Sequence, residues 1–279
     1  MIAFAANSLL CRMALGDGLI DAASFTSIRI ISGALTLFVI VAVRGSGTRV
    51  PPDWPGITAL FIYMACFSFA YLSLGAGTGA LLLFGAVQLT MFVEAIRSGE
   101  RFPVVAWIGL CAAFCGLGYL VAPGVTAPDP VGALLMVVAG VAWGAYSLVG
   151  RKSTRPLVST AANFVYAVPL SIVLSMVFLA SADLSLSGAL LAVMSGGLAS
   201  GLGYAVWYAV LPSLTAGRAA TVQLSVPVIA AMGGIAFLSE PLSLRLIVAS
   251  GLTIGGIALV LAQRSRRTAV APQRSRPRR

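Results

Sequence analysis

The chain has 279 residues, of which 59% are hydrophobic and 9% are charged, and its mean hydropathy is +1.00. A soluble domain could not cover its surface with so few polar residues, so the composition excludes a soluble fold. It predicts an integral membrane protein, and the formal net charge of +10 has to be explained in that setting.

Hydropathy predicts about ten membrane spans, because roughly 20 apolar residues cross about 30 Å of hydrocarbon as a helix. The first predicted span looks shortened at its start when it is compared with its counterpart in the second half of the chain. In chain order the predicted spans are 1–15, 25–43, 54–74, 78–96, 104–122, 130–150, 158–180, 188–210, 216–238 and 244–263.

Two stretches of the first half recur in the second half. Ser73–Gly77 returns as Ser213–Gly217, and Asn7–Arg12 resembles Tyr146–Arg151. The duplication predicts two five-helix repeats, 1–122 and 130–263, followed by a disordered Arg-rich tail, 264–279. Since five is odd, the second repeat must be inverted relative to the first. Secondary transporters use this arrangement to place a substrate site at the repeat interface.

The basic residues fall mostly on one side of this predicted topology. Only Arg12 and Arg245 fall on the other. The positive-inside rule then predicts a multi-pass protein with both termini in the cytoplasm, and the expected location is a bacterial inner membrane. The net charge reflects topology and lipid headgroup contact, and no nucleic acid is expected as a partner. The residues on the basic side are Arg44, Arg49, Arg97, Arg101, Arg151, Lys152, Arg155, Arg218 and the tail after Gln263.

Three motifs carry a resemblance to a known family. Phe4–Asn7 resembles the Trp-Gly-Ser-Asn box of the drug/metabolite transporter superfamily, and Ala142–Tyr146 resembles its second-repeat counterpart. Glu240–Leu242 followed by the glycines of 251–256 is similar to the closing motif of that superfamily. The chain thus resembles the EamA-type, ten-helix branch, and within it the YddG-type aromatic amino acid exporters. The resemblance implies alternating access around a cavity lined by the first, third, fourth, sixth, eighth and ninth helices.

Polar and aromatic side chains away from the interfaces are expected to face the bundle interior, since they are costly against lipid. The eighth span is the richest, with Ser200, Tyr204 and Tyr208 at a spacing of four residues and Trp207 beside them. Such a stripe can hold a flat substrate between rings, while helix packing or an interfacial aromatic belt is the alternative. The predicted substrate-binding residues are Asn7, Tyr63, Phe67, Gln88, Trp143, Tyr146, Ser147, Ser200, Tyr204, Trp207 and Gln223.

No catalytic group, metal site or cofactor is predicted. The chain has no His, and no pair of acids falls mid-span, so neither a nucleophile with its base nor a metal-ligand set can be assembled in the membrane. The four cysteines are expected to be small core residues. Arg29 is placed about one turn inside the second span, where a snorkelling or inter-repeat structural role is favoured over substrate contact.

The sequence therefore predicts a transporter that exports small neutral or zwitterionic metabolites, with aromatic or other apolar amino acids as the best guess. Facilitative transport is favoured, because no acid lies near a span centre to carry protons. A proton-coupled multidrug or cation efflux transporter, and a non-transporting scaffold or lipid scramblase, remain as alternatives. The expected partners are the small-molecule substrate and membrane lipids, and the oligomeric state is left open between monomer and homodimer.

Overall fold

The computed structural model describes residues 1–45, 51–100, 102–124, 127–151, 153–210 and 222–270, without the side chains of Tyr208 and 263–270. This part of the chain is helical and contains no β-strand. The helices are α1 (Ile2–Gly16), α2 (Ala22–Val43), α3 (Trp54–Ala70), α4 (Ala76–Arg97), α5 (Val104–Val121), α6 (Pro130–Gly150), α7 (Pro156–Val177), α8 (Leu186–Met194), a π-helix (Ser195–Leu202), α9 (Gly203–Val210), α10 (Ser225–Leu238) and α11 (Leu244–Val270).

The predicted all-α membrane architecture is confirmed. Among the described residues, seven helical stretches, counting Leu186–Trp207 as one, are long and apolar enough to cross a membrane. Three shorter apolar helices, α1, α3 and α10, accompany them. Large apolar side chains such as Val43, Leu186 and Phe237 are exposed around the bundle, as expected where the solvent is lipid.

Local chemistry sets several helix ends. The Asp21 carboxylate accepts from Ala23 N and Ser24 N at the start of α2, and Asp129 caps α6 in the same way. α3 ends at Ala70, four residues before the predicted end, because the amides of residues 71–73 turn back to carbonyls three residues earlier. α11 continues to Val270, into the stretch predicted as a disordered tail.

The described loops separate onto two sides of the bundle. On one side Asp21 N donates to Asp183 O at 2.9 Å, and Arg12 at the end of α1 approaches Glu240. We call this the Glu240 side. The opposite side contains the start of α1, and we call it the Met1 side.

Helix packing follows a pseudo-two-fold pattern. α2 packs on α7, α4 on α10 and α5 on α11, so these three pairs join counterparts from the two repeats. The first and third spans of each repeat instead pack crosswise: α3 contacts α6, and α1 contacts α8 and the π-helix. Ser27 Oγ donates to Ser171 O at 2.7 Å across the α2–α7 contact. This packing is what an inverted repeat requires, and it places the repeat interface at the centre of the bundle.

Glycines permit the closest helix approaches. A Cβ at Gly256 of α11 would collide with Gly109 O of α5, so these two helices pack backbone to backbone. Gly251 and Gly255 of the same helix face open space. Cys111 and Cys115 of α5 are exposed on the bundle surface, so the expectation that all four cysteines are core residues is wrong for these two.

The π-helix changes the register of the eighth span. One such turn inserts an extra residue relative to an α-helix, so that residues five apart share a face. Ser195 and Ser200 are both fully buried. The stripe predicted from Ser200 to Tyr208 begins at the end of the π-helix and continues into α9. Tyr204 is buried and Trp207 is half-buried, while the side chain of Tyr208 lies outside the described residues.

Candidate functional site

Aromatic rings from four helices meet at the repeat interface around Trp143 of α6. The Trp143 ring centroid lies 4.9 Å from Tyr63 of α3, 5.2 Å from Tyr204 of α9 and 6.3 Å from Phe4 of α1. The Tyr204 ring is stacked on Trp143 at 28°. We call Phe4, Tyr63, Trp143, Tyr204 and Trp207 the aromatic cluster. Four of its five members are among the predicted substrate-binding residues.

Phe4 is the member absent from the predicted set. Its ring contacts Trp143, Tyr204 and Trp207, the last at 6.2 Å with the rings nearly perpendicular. The available signal was its position at the start of the Phe4–Asn7 motif, where the related box carries Trp. A planar ring at this position therefore continues the wall formed by α6 and α9.

Arg29 of α2 is buried beside the cluster with no exposed surface. It lies seven residues into the helix, which is about 10 Å of helix length. Its guanidinium carbon is 4.7 Å from the Phe67 ring centroid and 5.5 Å from that of Tyr63, and Nη2 donates to Tyr63 Oη at 3.1 Å. Nε and Nη1 have no hydrogen-bond acceptor among the described residues. Of the two structural roles expected for Arg29, snorkelling is therefore wrong, because the charged end does not reach the interface.

Two predicted residues have hydrogen-bond partners that tie helices together. The Asn7 side chain is buried, and its Oδ1 accepts a short hydrogen bond from Ser195 Oγ, which joins α1 to the π-helix. Tyr146 Oη donates to Thr160 Oγ1 at 3.2 Å, joining α6 to α7. The Tyr146 ring still contacts Trp143, with centroids 5.5 Å apart. Both residues therefore support the wall of the site through helix packing.

The other predicted residues are more dispersed. Ser147 Oγ donates to Trp143 O of its own helix at 2.8 Å. Gln88 lines a separate cavity of about 30 Å³ together with Phe92, Phe102 and residues of α5 and α11. Gln223 is half-buried just before α10. The Ser200 hydroxyl is buried and lacks a hydrogen-bond partner within the described ranges.

A polar cluster lies on the Glu240 side of the bundle. Arg12 Nε lies 3.4 Å from Glu240 Oε1, and Arg12 Nη1 donates to Tyr71 O at 3.1 Å and Leu72 O at 3.2 Å. Both Glu240 carboxylate oxygens accept from Ala76 N at 2.9 Å, at the N-terminus of α4. A negative charge is favoured there by the helix dipole. We call Arg12, Glu240 and Ala76 the outer clasp, and it connects α1, α4 and the α10–α11 loop.

Known proteins are similar to this chain in sequence and in fold. An uncharacterised protein of Pseudomonas aeruginosa is 51% identical over 270 residues, which are 96% of this chain and 94% of that protein. An uncharacterised transporter of Archaeoglobus fulgidus is 28% identical over 83% of this chain and 86% of its own length. The uncharacterised transporter YoaV of Bacillus subtilis is 23% identical over 87% and 88%, respectively.

A solved crystal structure with 22% sequence identity covers 93% of this chain and 96% of its own, with a TM-score of 0.66, which shows a shared fold. Residues 130–262 match the EamA-like transporter family, and this range begins with α6 and ends within α11. This match and the relatives named as transporters support a transporter function. The chain belongs to the EamA-like transporter family of the drug/metabolite transporter superfamily.

Proposed function

We propose that the protein exports small zwitterionic or neutral metabolites, in particular aromatic or other apolar amino acids, as the YddG-type exporters that it resembles do. The observation that carries this proposal is the aromatic cluster centred on Trp143, where helices of both repeats meet. Aromatic rings attract flat apolar groups through stacked or edge-to-face contacts. Their faces also attract ammonium groups.

Alternating access is the mechanism that this arrangement supports. In the present structure the rings of the aromatic cluster occupy one another's faces, and Tyr204 and Tyr63 are buried. A substrate ring would replace one of these ring contacts when the bundle opens on one side. The outer clasp closes the Glu240 side, so the opening that admits substrate from the cytoplasm would be on the Met1 side.

Orientation and location follow from charge. Arg44, Arg97, Arg151 and Arg155 lie at helix ends on the Met1 side, whereas Arg12 and Arg245 lie on the Glu240 side. The positive-inside rule therefore favours a cytoplasmic Met1 side in a bacterial inner membrane. The proposed partners are the transported solute and the surrounding lipids.

Facilitative transport is the proposed mode of coupling. All eight Asp and Glu residues of the chain lie within the described ranges, and none of them is buried. A proton-coupled antiporter normally needs an intramembrane carboxylate that binds protons and substrate in turn. We therefore expect solute flux to follow the solute gradient.

Uptake into proteoliposomes tests the proposal. Purified protein is given labelled phenylalanine and other amino acids, a cationic dye and a sugar phosphate, each with and without an imposed pH gradient. Saturable uptake of phenylalanine-like solutes that is insensitive to the pH gradient is expected. Dye movement driven by the gradient would instead favour a proton-coupled efflux transporter. If none of the solutes is taken up, a scaffold or a lipid scramblase would be favoured.

A further inference from the structure

We propose that Arg29 is the anchor for the carboxylate of the transported solute, and that the substrate class is therefore a monocarboxylate with an apolar or aromatic body. This proposal rests on the proposed transport function and adds to it the residue that selects the substrate. The sequence favoured a structural role for Arg29, and the contacts of its side chain argue for a binding role.

The guanidinium of Arg29 is a buried charge without a counter-ion. None of the eight carboxylates, all within the described ranges, forms an ion pair with it, and Glu240 is paired with Arg12. A guanidinium remains charged in proteins. Buried charges are normally paired, because the loss of hydration is otherwise uncompensated. An anion bound beside Arg29 would supply the missing opposite charge.

The hydrogen bonds of Arg29 use only part of its capacity. Nη2 donates to Tyr63 Oη, whereas Nε and Nη1 have no acceptor in the part of the chain that the structure describes. The rings of Phe67 and Tyr63 hold the guanidinium plane by cation–π contact and supply no formal negative charge. The side chain is therefore positioned while its unused N–H groups stay available for carboxylate oxygens.

Tyr63 links this anion position to the aromatic cluster. Its hydroxyl accepts from Arg29, and its ring centroid lies 4.9 Å from that of Trp143. A solute whose carboxylate is bound by Arg29 would thus place its apolar part beside the Trp143 ring. The ammonium group of an amino acid would find aromatic faces on the same side. The arrangement suits the two ends of one small molecule.

Charge matching favours a carboxylate over a phosphate. Among the described Lys and Arg side chains, Arg29 is the one that is fully buried. One guanidinium balances one carboxylate charge, whereas a phosphate ester dianion would remain half neutralised in a medium of low dielectric constant. Sugar phosphates should therefore bind more weakly than monocarboxylates of similar size.

Close packing places Arg29 rigidly against the eighth span. A Cβ at Gly196 of the π-helix would collide with Arg29 O and Ser32 Oγ, so the backbone of α2 lies directly on this glycine. The same π-helix carries the buried Ser200 hydroxyl, which is also without a partner among the described residues. A movement of the eighth span would therefore be transmitted to α2 and to the anchor.

Ligand-induced thermal stabilisation and uptake by the full-length protein test the proposal together. The probes are phenylalanine, its carboxylate-free analogues phenylalaninamide and phenethylamine, the monocarboxylates leucine and benzoate, and glucose 6-phosphate. The variants are Arg29→Met and Arg29→Lys. Arg245→Met is the matched control, since Arg245 also lies over a tyrosine ring, at 5.6 Å from the Tyr119 centroid, but on the Glu240 side.

The wild type should prefer phenylalanine to phenylalaninamide by about 10- to 100-fold, the factor expected from charge-assisted hydrogen bonds. Arg29→Met should abolish this preference, and Arg29→Lys should retain part of it. Arg245→Met should leave it intact. The melting temperature of ligand-free Arg29→Met should be unchanged or higher, because an unpaired buried charge has been removed.

Each outcome separates this proposal from the proposed function. If the wild type transports phenylalanine and Arg29→Met keeps the full preference for a carboxylate, Arg29 is structural and the inference is wrong, while the transport function stands. If phenylalanine is not transported but benzoate or leucine stabilises the wild type and not Arg29→Met, the anchor stands and the aromatic amino acid substrate does not. If no carboxylate stabilises the wild type, the inference fails.

Discussion

Replacing Glu240 with Gln should loosen the outer clasp while keeping its shape. The amide oxygen of Gln can still accept from Ala76 N, but the ion pair with Arg12 at 3.4 Å and the negative charge at the N-terminus of α4 are lost. The Arg12 and Glu240 side chains are 26% and 19% exposed, so solvent screens the pair only in part.

The magnitude follows from the groups involved. A hydrogen bond to a charged group contributes about 1.5–3 kcal/mol, and a charge at a helix terminus about 0.3–1 kcal/mol. The neutral hydrogen bond persists in the Gln variant. We therefore expect the free energy that favours the closed over the open conformation of the Glu240 side to fall by about 2 kcal/mol. This corresponds to an increase of roughly 30-fold in the population open on that side.

The native Cys11 thiol reports this opening, because it is fully buried on α1 next to Arg12. In a background in which Cys66, Cys111 and Cys115 are Ala, a membrane-impermeant thiol reagent should modify Cys11 about 30-fold faster after Glu240→Gln. Asp17→Asn, an exposed acid on the same side, is the control and should leave the rate unchanged. An unchanged Cys11 rate in Glu240→Gln would refute the clasp as the closing element.

Two further perturbations address packing and the site. Gly196→Ala should lower the melting temperature, because overpacking against Arg29 O costs about 1–3 kcal/mol of stability. Gly251→Ala is the control and should be neutral or slightly stabilising, because Gly251 faces open space. Equal melting temperatures of the two variants would contradict the contact between Gly196 and α2. Tyr204→Ala should reduce solute uptake, because it removes the ring stacked on Trp143, while the folded protein remains abundant. Gln223→Ala should also reduce uptake, because its amide is predicted to contact the solute, and full uptake in both variants would contradict the proposed binding site.

The membrane fold could be predicted from the sequence because the bilayer narrows the choices. Backbone polar groups in hydrocarbon must be satisfied within each span, so long apolar stretches have to be helices. The length of each apolar stretch then gave the spans, and the recurrence of Ser73–Gly77 as Ser213–Gly217 indicated the duplication. Helix ends were less predictable, as α3 shows, because they depend on hydrogen bonds in the last turn.

The candidate site was predictable in composition but not in arrangement. Trp143, Tyr63, Tyr204 and Trp207 were selected as aromatic residues in apolar spans, and the structure brings them together. Phe4 was missed although it begins the Phe4–Asn7 motif, because hydrophobic periodicity alone does not distinguish a single Phe in an apolar helix. Hydrophobic periodicity also assumes a constant register, which the π-helix at Ser195–Leu202 interrupts.

The sequence by itself determined an inverted-repeat helical membrane protein, since hydropathy, span number and duplication depend on local composition and on counting. Only the tertiary structure decided the environment of individual polar groups. Arg29 lies where a snorkelling side chain was expected from its position in the span, yet the packing of α2 and α3 buries it against Phe67 and Tyr63. Burial and pairing depend on neighbours that are distant in the chain, such as Arg12 and Glu240, and a linear pattern does not specify those neighbours.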